Sequence, residues 1–93
     1  MFVRVVTFKS KEGKEERVRK LGRETLVPIN KEAGSVQVYF LEPHADNDSF
    51  GVVSVWKEHE TLETMKNSER YRALIQGLAP LVGSLTDTVY VSE

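Results

Sequence analysis

The seven residues from Phe50 to Trp56, FGVVSVW, constrain this chain more than any other stretch. The run is short, apolar and rich in β-branched side chains, so it reads as a strand. It ends on the only tryptophan and passes through Lys57-Glu58-His59-Glu60 into a helical stretch carrying Leu62 and Met65. A second helical stretch starts near Glu69 and puts Tyr71, Leu74, Ile75, Leu78 and Val82 on one face,. A strand that ends in a large aromatic and turns straight into helices is suited to form one wall of a pocket.

The rest of the chain supplies the other layers. Phe2 to Phe8 alternates as a first strand, with Phe2, Arg4, Val6 and Phe8 on one face and Val3, Val5 and Thr7 on the other,. A turn around Gly13 leads into an amphipathic helix from Lys14 to about Val27, whose buried stripe is Val18, Leu21, Thr25 and Leu26,. Pro28 is expected to end or kink it, because proline lacks the N–H and clashes with the preceding turn. Lys31 to Gly34 reads as a loop, Ser35 to Leu41 as the second strand, Glu42 to Ser49 as a polar loop, and Leu85 to Val91 as the last strand. The order β-α-β-β-α-β predicts an α+β, ferredoxin-like fold with a four-stranded antiparallel sheet, as a single domain over residues 1–93,.

Helices cover one face of such a sheet. The more apolar face carries Val6, Phe8, Val36, Val38, Phe40, Val52, Trp56, Val89 and Val91, and is assigned to them. The opposite face still shows Val3, Val5, Tyr39, Leu41, Val53, Val55 and Tyr90. An apolar patch of that extent marks an interface, and a homodimer with two sheets packed face to face is expected. A 93-residue chain without cysteine has no disulfide to staple a small core, and oligomerisation is the usual remedy,. The net charge of −1, with mixed signs, argues against a nucleic-acid or anionic-membrane partner,. No apolar run approaches the roughly 20 residues of a membrane helix, and the first residues show no signal-peptide pattern. Together with the missing cysteines, this suggests a cytoplasmic location.

At this point the ordered set KEGKEE (Lys11–Glu16), PINKEAGSVQVYFLE (Pro28–Glu42) and SVWKEHETLETMKNSERYRAL (Ser54–Leu74) resembles the antibiotic biosynthesis monooxygenase family. The resemblance implies a dimeric α+β barrel built from ferredoxin-like subunits. It further implies a cavity between sheet and helices, used in active members for cofactor-independent oxygenation of quinols or aromatic polyketides, or for haem degradation. Trp56 matches the family tryptophan and Tyr71 the aromatic after it. The chain departs from the pattern at Met65 and Arg70, where many relatives have histidines, and at Ser54, where many have glutamate. The first strand has no asparagine and no histidine follows His59, so haem degradation is not expected.

The candidate site follows from these positions. Trp56 is either a wall for a flat aromatic or a core tryptophan, and the resemblance favours the wall. Tyr71 offers a hydrogen bond to a substrate oxygen, or simply opens the apolar stripe of its helix. Ser54 is a polar group on the inner face, beside Trp56. Val6, Phe40 and Met65 line the expected cavity, with Met65 as adaptable packing. His59, at the strand-to-helix turn after Trp56, joins Ser54 and Tyr71 as the polar groups that the site could use,. Arg4 and Asp87, on neighbouring strands, read as a structural ion pair. His44 with Asp46 and Asp48 fits no calcium-loop spacing, and solvated loop residues are the plainer account. The reading is a monooxygenase that needs no metal or flavin and acts on an electron-rich aromatic. Its alternative is a non-catalytic dimeric module that binds a small hydrophobic ligand.

Overall fold

The alternation along the first strand sets the register of the whole sheet. A computed structural model of the chain describes residues 1–45 and 48–93. Strand β1 (Phe2–Ser10) pairs antiparallel with β3 (Phe50–Trp56), Arg4 opposite Ser54 and Phe8 opposite Phe50. On its other side β1 pairs with β4 (Val82–Val91), Arg4 opposite Val89 and Val6 opposite Asp87. Strand β2 (Gln37–Leu41) closes the far edge against β3, so the order is β2-β3-β1-β4. This is the ferredoxin-like arrangement of the α+β class.

The first helical stretch is longer than the sequence suggests. Helix α1 (Glu15–Leu21) runs into a π-helical turn (Gly22–Leu26) and on into α2 (Val27–Ala33) without leaving helical geometry. Of the two outcomes expected at Pro28, an end or a kink, the end does not occur, and the helix continues through it behind an irregular turn. The Val27 N–H bonds to the Gly22 carbonyl, five residues back. That wider turn places Pro28 in the first turn of a new α segment, where a missing N–H is tolerated. Lys31 to Ala33 is helical, and the helix stops at Gly34, whose φ of 105° is the left-handed cap that glycine adopts freely,. Consequently β2 begins at Gln37 rather than Ser35.

Helix α3 (His59–Lys66) and helix α4 (Glu69–Leu78) follow β3. The Ser68 hydroxyl accepts the Tyr71 N–H at 3.2 Å and caps α4,. A 3₁₀ turn (Ala79–Leu81) then leads into β4 at Val82, which belongs to the strand and not to the helix face.

The core fills the space between the helices and β1 to β3, with Trp56, Phe8, Phe50 and Leu62 almost wholly enclosed. The helical layer stops short of β4. Val89 and Val91 share the helix-side face by register, yet they are 37% and 74% exposed, because an edge strand beyond the helices has nothing above it. Val36, before β2, is likewise exposed. The opposite sheet face is open and shows Tyr39, Leu41 and Tyr90. Among the described residues no helix is long and apolar enough to cross a membrane.

Candidate functional site

Four polar side chains turn inward among the apolar ones. Arg4, on β1, is 5% exposed. Its Nε donates to Asp87 Oδ1 at 2.9 Å, and its Nη2 donates to Asp87 Oδ2 at 2.7 Å and to the Tyr71 hydroxyl oxygen at 2.9 Å. The fork of the guanidinium matches the carboxylate, which makes this a strong pair. Burial alone would lower the Arg4 pKa, but the hydrogen bonds and charge of Asp87 and Tyr71 outweigh it and hold it above its usual value. Asp87 is held below the usual carboxylate range, first by the hydrogen bond from Arg4 and then by its charge, against partial burial. The phenolic oxygen of Tyr71 accepts from Arg4, so its own proton is free to donate elsewhere.

On β3, the Trp56 indole N–H donates to Ser54 Oγ at 2.9 Å. Two residues apart on one strand, the side chains share a face, and the indole leaves the serine proton free. From the helical layer comes Asn30, which is 2% exposed. Its Nδ2 donates to the Leu26 carbonyl at 2.8 Å, which fixes the amide orientation,. Its Oδ1 is buried with no hydrogen-bond partner.

Arg4, Asn30, Ser54 and Tyr71 line one cavity between sheet and helices, together with Val6, Leu26 and Val52. The open space is about 10 Å³, room for one water,. The cavity thus offers hydrogen-bond donors from Tyr71 and Ser54 and one acceptor from Asn30. A ligand with a hydroxyl and a second oxygen matches that set.

The family model for antibiotic biosynthesis monooxygenases matches residues 1–77. The chain belongs to this family. Solved structures agree on the fold. A protein of Deinococcus radiodurans superposes with a TM-score of 0.90 at 17% identity, covering 100% of this chain and 93% of its own. PA3566 from Pseudomonas aeruginosa gives 0.84 at 20%, covering 99% and 93%. SnoaB, a cofactor-independent oxygenase from Streptomyces nogalater, gives 0.82 at 14%, covering 98% and 91%. Identities this low carry the fold alone. No curated protein matches the sequence.

The structure brings only part of the sequence-derived set together in this family member. Tyr71, Ser54 and Val6 line the cavity. Trp56 is fully enclosed and reaches the cavity only through its bond to Ser54, so the expected aromatic wall is instead a buried support. Phe40 stacks on Phe50 at 5.8 Å and lies over Gly22, away from the cavity. Met65 is buried on another side, at a groove with Ile29 and Ala33. His59 is half exposed, 3.3 Å from Glu63 and beside the Phe2 ring, so it faces outward. The Arg4–Asp87 pair is present as read from the sequence; its extension to Tyr71 is not legible there. Asn30 is missed because Pro28, read as an end or a kink, leaves the residues after it without a helical register,. Its spacing of four from Leu26 is the signal that a continued helix would have exposed,. Asp46 lies outside the described residues, and among those described no three His, Cys, Asp or Glu side chains converge as a metal site.

Proposed function

We propose that the chain is a cofactor-independent monooxygenase acting on a small quinol or an aromatic-polyketide-like substrate between sheet and helices. The observation that carries this reading is the unpartnered Asn30 Oδ1 in the wall of a cavity shared with Tyr71 and Ser54. A buried acceptor without a partner costs about 1–3 kcal/mol, and a ligand hydroxyl recovers it. Membership of the family supports the reaction class, and SnoaB, which shares the fold, is itself a cofactor-independent oxygenase.

Tyr71 and Ser54 donate to the substrate oxyanion, while Asn30 accepts a substrate hydroxyl. Arg4 holds the Tyr71 hydroxyl in place, and Trp56 holds Ser54. The substrate itself supplies the electrons. Its enol proton is released to water, and an electron passes from the oxyanion to dioxygen. The two radicals join in a C–O bond, and protonation gives a hydroperoxide. Loss of water breaks the O–O bond and leaves a carbonyl. A ring CH of the enol, the CH₂ of its keto form, becomes C=O, and dioxygen supplies one atom to product and one to water. Preorganised donors aimed at the developing charge are the protein's contribution.

The water-sized cavity favours a second reading, a non-catalytic module for a small hydrophobic ligand. Either way a ring enters only when the helical layer lifts from the sheet, since ligand pockets generally hold about 300–1,000 Å³. The assembly proposed with both readings is a homodimer through the open sheet face around Tyr39, Leu41 and Tyr90,.

The test is aerobic incubation with hydroquinones and polycyclic phenols, following oxygen uptake and the fluorescence of Trp56. Uptake equimolar with substrate, and lost in Tyr71→Phe, supports the oxygenase. Fluorescence change without uptake selects the binding module. No response to any compound overturns both.

A further inference from the structure

We infer that this site takes a hydroxylated ring bearing a linear hydrocarbon chain, with the ring at the polar end and the chain in a groove between α4 and β4. The inference rests on the proposed site and adds the shape of its substrate. The buried cavity shares Ile75, Leu78 and Leu85 with a second, open space of about 180 Å³. Ala79, Val82 and Ser84 complete that groove, so its walls are chiefly aliphatic.

Polarity is divided along this path. Arg4, Asn30, Ser54 and Tyr71 all lie at the cavity end, and none of them lines the groove. A compact polyphenol would leave the groove empty. Once the helical layer has lifted to admit the ring, an amphipathic substrate fills both parts and places each group in matching surroundings,. Leu85 marks the junction. It lies opposite Phe8 on the helix side of the sheet, yet it is 47% exposed, because the helices do not reach over β4. An exposed leucine at the mouth of a cavity is apolar surface that a ligand chain removes from water. Gly83, beside it, has nothing within 4 Å of where a Cβ would stand, so the rim is unobstructed.

The experiment is a titration of the chain with 2-alkylhydroquinones from methyl to hexyl, read by Trp56 fluorescence and by calorimetry. Affinity is expected to rise by up to about fourfold per methylene. That increment is expected to flatten in Ala79→Phe, which fills the groove from its helical side, and in Leu85→Asn, which makes its mouth polar. Two variants guard against a single misfolded one, and circular dichroism checks both. A wild-type affinity that is independent of chain length, with methylhydroquinone still bound, overturns the groove assignment and leaves the polar site standing. An increment that persists in both variants puts the chain elsewhere and also overturns it. Flat affinities accompanied by a change of oligomeric state in Ala79→Phe give the groove to a second copy of the chain instead. Failure of every member to bind overturns the groove and the site together.

Discussion

Replacing Asn30 by leucine separates stability from function at this site. The two side chains are similar in size, so the cavity neither collapses nor overfills. The substitution removes one hydrogen bond, Nδ2 to the Leu26 carbonyl. A bond of that kind contributes about 0.5–1.5 kcal/mol. It also removes Oδ1, a buried acceptor without a partner, whose burial costs about 1–3 kcal/mol,. The second effect is the larger, so Asn30→Leu is expected to be neutral or up to about 2 kcal/mol more stable than wild type. In a domain of this size each kcal/mol shifts Tm by about 4–8 °C. Thermal and urea unfolding measure that change, and titration with a responsive hydroquinone measures the expected loss of binding. A stabilised protein that no longer binds fits a residue kept for its ligand. A fall in stability beyond about 1 kcal/mol would show that Oδ1 is already satisfied in the resting protein. Unchanged binding would remove Asn30 from the site.

Other perturbations test the surroundings. Asp87→Asn leaves the enclosed Arg4 guanidinium without its carboxylate and is expected to cost about 3 kcal/mol in denaturant unfolding, at the low end for such pairs because Asp87 is partly exposed,. The folded pKa of Asp87 is depressed, so its contribution is complete above the unfolded value of about 3.9 and is lost as pH falls through the lower folded value,. Acid unfolding of Asp87→Asn is therefore expected to be less steep below about pH 4 than that of wild type, and equal steepness would contradict the pairing. Gly22→Ala drives a methyl group into the Phe40 ring and is expected to destabilise by about 1–3 kcal/mol, read from Tm,. Tyr90→Asp places a charge on the open sheet face and is expected to give a monomer in sedimentation, whereas a wild type already monomeric at micromolar concentration removes the dimer,.

The sheet was legible in the sequence because period-two alternation survives burial on one side. Phe2, Arg4, Val6 and Phe8 against Val3, Val5 and Thr7 announce both the strand and its inner face. The site was less legible, for two physical reasons. Proline in a helical pattern reads as a stop or a kink, and nothing local shows that a π turn between Gly22 and Leu26 lets the helix continue through Pro28,. Continuing the helix past Pro28 gives Asn30, unassigned in the sequence reading, a buried position four residues beyond Leu26 and over the sheet. The second reason is that a tryptophan ending a strand fits a pocket wall and a core support equally well. Its complete burial, away from the cavity lining, decides between them. The two misreadings have a common consequence. The sequence points to aromatic stacking at Trp56, whereas the structure gathers the polar side chains of Arg4, Asn30, Ser54 and Tyr71 around one cavity. Recognition by a converging polar set discriminates between ligand oxygens far more sharply than an apolar wall does, because a mismatched ligand leaves buried donors and acceptors unpaired. Selectivity in this chain is therefore expected to follow the substrate's oxygen pattern first and the breadth of its ring system second.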